Sequence, residues 1–130
     1  MMRDFPPFRD LRSFLGWCGD TGQLATIGAP VAVRHRMTAV HRQVLEAGGP
    51  VLRFDHPVLA DGSRAEMPVI TNLFGTTARV CAGLGMEEDR LGELGEFLAA
   101  LRAPTPPDGL RDALSRWPML KAALATRPKV

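Results

Sequence analysis

The stretch Met67–Val80, MPVITNLFGTTARV, joins a β-forming run to a helical one and decides how the chain is organised. Its first half is rich in β-branched residues and predicts a strand that stops at Asn72. An apolar run with helical spacing begins after Gly75, and a glycine suits such a corner because it has no Cβ. The stretch therefore predicts a strand, a tight corner and a helix in direct succession.

The corner NLFGTT is interpreted either as a structural hand-over or as a loop that faces a ligand. The structural interpretation, which we favour, predicts a positive φ at Gly75 or the close approach of another backbone segment there. It also predicts that Thr76 or Thr77 caps the following helix by accepting a backbone N–H bond. Phe74 is expected to be largely buried, since Leu73 and Phe74 are too apolar for an exposed loop tip.

On the amino-terminal side of this stretch, the periodicity predicts two helices and two strands. The first helix is expected to begin at Pro6 and Pro7, and the second to end before a left-handed Gly48. The strands are QLATI and PVLRF, and DHPVLADGSRAE reads as a polar loop with a turn at Asp61-Gly62. The predicted buried faces are Phe8, Leu11, Phe14, Leu15 and Cys18 on the first helix, and Met37, Val40, Val44 and Leu45 on the second.

On the carboxyl-terminal side, three further helices are predicted. They are TTARVCAGL, then EEDRLGELGEFLAALR, and then LRDALSRWPMLKAALAT, which Pro118 breaks or kinks; APTPPDG connects the last two. The order α-β-α-β-β-α-α-α indicates an α+β fold, with a small mixed sheet of about three strands packed with about five helices. We expect residues 1–130 to form a single domain. The apolar face of the middle helix is predicted to be Leu91, Leu94, Leu98 and Leu101.

Composition excludes several classes of protein. A net charge of +2 is too small for a protein that binds nucleic acid by neutralising phosphates. No apolar run approaches the roughly 20 residues that span a bilayer, and the first residues lack the pattern of a signal peptide. Cys18 and Cys81 are far apart and belong to no metal-ligand spacing, which favours two free thiols in a reducing cytoplasm.

The residues that most often carry chemistry do not converge in the sequence. His35 and His41 fall on different faces of a helix and His56 lies in a loop, so we expect no metal site from them. The cluster Arg34, Arg36 and Arg42 is typical of a solvated helix face or a contact between domains. Gly92 and Gly95 lie inside a helical pattern without a phosphate-binding motif, which favours close helix packing there. The residues alone therefore predict no catalytic, cofactor-binding or metal-binding position.

Several segments together resemble the amino-terminal domain of UbiD-type decarboxylases, which include 3-polyprenyl-4-hydroxybenzoate carboxy-lyases and ferulic acid decarboxylases. The resemblance runs from Phe8 to about Val130, and the pairing of AGGP (Ala47–Pro50) with NLFGT (Asn72–Thr76) is its most specific part. One departure is VRHRMTAVHR, which stands where many relatives have an acidic stretch resembling LEITEIADR. The quoted segments are FRDLRSFLGW, GQLATIGAPV, VLEAGGPVLRFD, MPVITNLFGTTARVCAGLG and LRAPTPPDGLRDALSRWPMLKAAL.

The resemblance implies a larger enzyme in which a flavin-binding domain and a carboxy-terminal oligomerisation domain follow this one. It implies decarboxylation of aromatic or α,β-unsaturated acids with prenylated FMN, manganese and potassium, all held outside this chain. The ending RPKV favours a truncated protein, and the alternative is a stand-alone, non-catalytic subunit that docks onto a separate flavin-binding chain. In either case we expect an inactive chain whose last helix, with Trp117, Met119, Leu120 and Leu124, exposes an apolar contact face.

Overall fold

A computed structural model of the chain describes residues 7–102, 110–115, 117–118 and 121. The chain divides into two compact units, Met1–Glu88 and Asp89–Val130, and each is described by itself. The strands are β1 (Leu24–Ile27), β2 (Val31–Ala32), β3 (Val51–Phe54), β4 (Pro57–Val58) and β5 (Val69–Thr71). The helices are α1 (Leu11–Asp20), α2 (Thr38–Glu46), α3 (Thr77–Leu84), α4 (Leu91–Arg102) and α5 (Leu110–Ser115).

The first unit is built on a mixed sheet of three strands in the order β1-β3-β5. β1 runs parallel to β3, with Leu24 opposite Val51, and β5 runs antiparallel to β3, with Thr71 opposite Leu52. The predicted α+β class with a small mixed sheet is therefore confirmed, and its strands fall in the three predicted segments.

A second, two-stranded sheet was not predicted. β2 pairs in parallel with β4, with Val31 opposite Pro57, and Val58 also bridges to Arg64. These residues lie partly in DHPVLADGSRAE, so the prediction of a wholly polar loop is wrong there. The predicted turn is confirmed, since Gly62 has a φ of 84° and donates its N–H to Leu59. Strands of two residues are too short to leave an alternating pattern in the sequence.

The central strand β3 divides the core of this unit into two layers. On one side, Val51 packs with Phe14 and Cys18 of α1. On the other side, Leu52 and Phe54 pack with Met37, which immediately precedes α2. Residues on successive positions of a strand face opposite ways, so one short strand joins both layers.

The start of α1 differs from the prediction. The helix begins after Asp10, whose carboxylate accepts the Ser13 N–H at 2.8 Å, while the Asp10 N–H donates to Ser13 Oγ at 3.1 Å. This reciprocal cap satisfies two donors at the helix start, which the proline pair cannot do. Leu11 is 53% exposed, so its place in the predicted buried stripe is wrong, whereas Phe14 and Cys18 are buried as expected.

Helix α2 ends as predicted. Gly48 has a φ of 63°, and its N–H donates to the Leu45 carbonyl. Val40 and Val44 pack against the second core layer, but Leu45 is 42% exposed and does not belong to the buried face. Leu45 lies about 100° around the helix from Val44, which turns it towards solvent.

The second unit contains α4 and α5. Leu91 and Leu94 are half-buried, but Leu98 and Leu101 are exposed, so the predicted apolar face is correct only in its first half. A Cβ at Gly92 or Gly95 would meet no described atom within 4 Å, so the described residues do not show the close packing predicted at these glycines. The connector 103–109 lies outside the described residues.

The last helical stretch is described in part. Trp117 is 62% exposed, as predicted, and Leu110 and Leu114 of α5 are exposed too. The other predicted members of this face, Met119, Leu120 and Leu124, lie outside the described residues. Searched over its described residues, the chain has no helix long and apolar enough to cross a membrane.

Candidate functional site

The backbone turns sharply at the end of β5, and the residue that makes the turn is Asn72. It has a φ of 59° and is only 6% exposed. Asparagine adopts the left-handed conformation more readily than most residues because its short polar side chain can bond locally. The positive φ that we predicted for Gly75 therefore falls three residues earlier, and that part of the prediction is wrong.

Position 75 needs a glycine because there is no room for a Cβ, and not because of its backbone angles. A Cβ built on Gly75 would collide with the side-chain amide of Asn72. The predicted close approach at Gly75 does occur, but a side chain makes it instead of another backbone segment. This collision explains why a residue with a Cβ fits poorly at this corner.

The Asn72 side chain joins the corner to the AGGP turn before β3. Its Nδ2 donates to the carbonyl of Gly49 at 3.1 Å and to that of Pro50 at 2.8 Å. Its Oδ1 is buried and accepts no hydrogen bond from a described residue. Both amide hydrogens are thus committed to the turn, which fixes the orientation of the amide beside Gly75.

Arg79 of α3 makes the second connection between the same two segments. The side chain is 2% exposed, and its Nε donates to the Leu73 carbonyl at 3.1 Å. Its Nη2 donates to the Gly49 carbonyl at 3.0 Å and to the Asn72 carbonyl at 3.2 Å. We call Gly49, Asn72, Gly75 and Arg79, together with the carbonyls that they share, the corner joint.

The helix that carries Arg79 is itself anchored at the corner. Thr76 is the N-cap of α3, and its Oγ1 accepts the backbone N–H of Arg79 at 3.3 Å. One of the two predicted capping threonines is thereby confirmed. Gly85 ends the helix with a φ of 68°. The cap and the guanidinium together hold the first turn of α3 against the end of β5.

The charge on Arg79 is not matched by a carboxylate in the described part of the chain, where the ion pairs are Arg42–Glu46, Arg53–Asp55 and Arg90–Glu93. Carbonyl dipoles stabilise the buried guanidinium instead. Burial raises the pKa of the Cys18 thiol, and the nearby positive charge of Arg79 acts in the opposite direction. Burial raises the pKa of Cys81 as well, and Glu88 and Glu87 add to the effect.

Sequence reasoning missed Arg79. The signal was present, because Arg79 is the sole charged residue in the helical run TTARVCAGL, in which it is the fourth residue. An arginine in an apolar helix is usually assigned to solvent, and its partners here are backbone carbonyls that no side-chain pattern reveals.

Phe74 is 56% exposed, so the prediction that it is largely buried is wrong. One part of its ring packs on Phe14, with centroids 5.4 Å apart, and another part lies against Gly83, where a Cβ would approach to 3.1 Å. The remaining surface is open in this unit. Phe74 therefore belongs to the aromatic cluster of Phe8, Phe14 and Trp17 and also presents an apolar ring at the surface.

The histidines and the basic cluster lie elsewhere. Arg34, His35 and Arg36 are exposed in the turn before α2, and His35 has a φ of 64°. The second histidine, His41, is half-buried on α2, and its Nδ1 has no hydrogen-bond partner among the described residues. No group of three His, Cys, Asp or Glu side chains in the described ranges is placed to hold a metal ion.

The joint therefore defines a class of site: a buried polar connection between two loops of an α+β domain. The family described as 3-octaprenyl-4-hydroxybenzoate carboxy-lyase N-terminal domain matches residues 15–98, which is more than half of the chain and includes the whole corner joint. The chain belongs to this family, the amino-terminal domain of UbiD-type decarboxylases. The resemblance carried by AGGP and NLFGT is thus confirmed, and the structure shows the two motifs hydrogen-bonded to each other.

Proposed function

We propose that this chain is the amino-terminal structural domain of a UbiD-like carboxy-lyase that acts on aromatic or α,β-unsaturated acids with prenylated FMN. In this proposal the chain alone is inactive. Its partner is the flavin-binding domain of a cytoplasmic, homo-oligomeric parent enzyme. The family match supports the reaction class, and the corner joint is the observation that carries the structural role.

The polar side chains of the corner joint donate their hydrogen bonds to backbone carbonyls of the chain itself. Arg79 and Asn72 direct five hydrogen bonds to the carbonyls of Gly49, Pro50, Asn72 and Leu73. A catalytic arginine or amide instead directs its donors at a cavity where substrate charge develops. We therefore assign these two residues to the shape of the domain and assign no reaction step to them.

The proposal places the cofactors of the family outside this chain. Manganese and potassium at a flavin phosphate need several converging oxygen or nitrogen ligands. The described part of the chain brings no three such acidic, histidine or cysteine side chains together. We therefore assign prenylated FMN and its metals to the flavin-binding domain and derive no catalytic step from this chain. In this proposal the chain is a packed support for the flavin-binding domain and shields one side of the cleft of that domain.

A binding and activity assay tests the proposal. The purified chain is titrated with prenylated FMN and manganese, and carbon dioxide release is followed for several aromatic and acrylic acids. We expect neither cofactor binding nor turnover above background. Micromolar binding of the cofactor, or measurable decarboxylation, would show that the active site extends into this domain.

A positive control makes the absence of activity informative. The flavin-binding domain of the parent, assayed with and without this chain, should gain activity or cofactor retention when the chain is added. If addition of the chain changes neither property, the supporting role fails even when the chain itself is inactive.

A further inference from the structure

The segment before α2 combines three unusual features on the surface of the first unit. Arg34, His35 and Arg36 are consecutive, exposed and basic. His35 has φ 64° and ψ −48°, a tight turn conformation that residues with a side chain rarely adopt. Neither arginine forms an ion pair or hydrogen bond with a described side chain. We call residues 34–36 the basic turn.

The surrounding structure pins the basic turn at both ends. On one side, the Val31 N–H donates to the His56 carbonyl at 3.1 Å as β2 pairs with β4. On the other side, Met37 is 4% exposed and is fixed in the second core layer. Strained turns persist where their surroundings determine them, and they are concentrated at binding and switch regions.

An open groove lies directly beside the basic turn. Its volume is ≈ 490 Å³, and among the described residues that line it Arg36 is the one that carries a charge. The remaining lining is apolar and comes from the β2–β4 pair and from α2: Pro30, Val31, Ala32, Val40 and Val58. An apolar groove with one cation at its rim complements an aliphatic side chain that stands next to a carboxylate.

The size of the surface favours a protein segment over a small acid. The basic turn extends beyond the groove, and a second open depression of ≈ 520 Å³ begins on its other side at His35 and continues along α2. Between Val31 and Gln43 the chain has three arginines and no acidic residue. Arg42 is ion-paired with Glu46, which also lines the second depression, so the positive field that attracts negative charge comes from Arg34 and Arg36. A single small carboxylate would use only one end of this surface.

We propose that the groove and the basic turn form the docking surface for an acidic, partly aliphatic segment of the flavin-binding domain. This inference rests on the proposed function, because it identifies the face through which the structural domain holds its partner. Arg36 pairs with a carboxylate of that segment, while Val31, Val40 and Val58 cover the neighbouring aliphatic side chain. Arg34 supplies the wider positive field.

The test measures binding between this chain and the parent's flavin-binding domain, expressed as a separate polypeptide, by isothermal titration calorimetry. Arg36→Glu reverses the charge at the groove, Arg36→Lys keeps it, and Arg12→Glu reverses an exposed charge on α1 as the matched control. We expect Arg36→Glu to weaken binding about tenfold or more, Arg36→Lys to stay within about threefold, and Arg12→Glu to bind like the unchanged chain. The affinity of the unchanged chain should fall as salt rises.

The outcomes separate this inference from the function on which it rests. If the unchanged chain binds and Arg36→Glu binds equally well, the docking surface lies elsewhere and the inference fails while the proposed function stands. If Arg12→Glu weakens binding as much as Arg36→Glu, the effect is one of total charge and the inference also fails. If the unchanged chain does not bind at all, both the inference and the supporting role are overturned. Circular dichroism of each variant confirms that the exposed substitutions leave the fold unchanged.

Discussion

The side-chain amide of Asn72 occupies the space in which a Cβ of residue 75 would lie. Residues 72 and 75 are therefore sterically coupled. The Asn72 amide can donate to Gly49 and Pro50 only while position 75 has no side chain. This relationship explains the glycine of the NLFG corner without a special backbone angle. It also leads directly to measurable effects on stability.

Gly75→Ala should destabilise the domain by roughly 2–3 kcal/mol, since the new methyl group displaces the Asn72 amide from its two carbonyls. Gly16→Ala is the matched control, because a Cβ at this exposed helical position meets nothing within 4 Å. Alanine favours the helix there, so the control should be neutral or slightly stabilising. Urea unfolding of both variants measures the difference. Equal midpoints would contradict the steric role of Asn72.

The same substitution should be nearly harmless once the amide is gone. Asn72→Gly keeps the positive φ accessible but removes the side chain, so Gly75→Ala added to it should cost less than about 0.5 kcal/mol. The coupling free energy between the two positions is then about 1.5–3 kcal/mol. A double-mutant cycle by urea unfolding gives this number. Additive effects would mean that Gly75 is needed for a reason unrelated to Asn72.

Arg79→Met should lower the free energy of unfolding by about 3 kcal/mol. Methionine preserves much of the side-chain volume but leaves the carbonyls of Leu73, Gly49 and Asn72 without their shared donor. Arg53→Met removes an exposed arginine that is paired with Asp55, and it should change stability by less than about 1 kcal/mol. Arg79→Lys should rescue little, because an ammonium group cannot reproduce the planar fork. A loss no larger than that of Arg53→Met would refute the joint.

The pKa of the Asp10 carboxylate should lie below its ordinary value of 3.8, chiefly because the Ser13 N–H donates to its ionised form, with a smaller contribution from the Ser13 side chain. A lowered pKa in the folded state means that this contribution to stability is present above pH 3.8 and is lost as pH falls through the folded-state pKa. A carbon-detected NMR titration measures the pKa directly. In Ser13→Ala the side-chain bond is lost and the pKa should move back towards 3.8. An unchanged titration in that variant would exclude the hydroxyl as a cause.

Most elements of the first unit could be predicted from the sequence, because the residues that start, form and end each element lie close together in the chain. The β-branched run before Asn72, the helical spacing around Phe14 and the terminating Gly48 each act within a few residues. The β2–β4 pair escaped prediction since two residues cannot show a period. The exposure of Phe74 was not predicted either, because the sequence does not show whether a hydrophobic residue at a corner is covered by its own domain.

The corner joint could be recognised from the sequence only as a pair of motifs. AGGP and NLFGT are separated by more than 20 residues, and the bonds between them run from side chains to backbone carbonyls. Carbonyls are present in every residue, so no residue type at the receiving end marks the contact. What a single sequence did reveal was the coincidence of the two motifs. The three-dimensional structure supplied the residue that connects them, Arg79.

The short strand β5 gives the joint a role in folding as well as in stability. β5 has three residues, all half-buried, and a strand of this kind specifies its alignment with a neighbour weakly. In the native alignment Thr71 lies opposite Leu52, which brings Asn72 within reach of the Gly49 and Pro50 carbonyls. A slip of one position would turn the side chains of β5 to the opposite face and carry the amide away from those acceptors. The hydrogen bonds of Asn72 therefore form only when β5 pairs with β3 in the native register, so they stabilise that register over a slipped one.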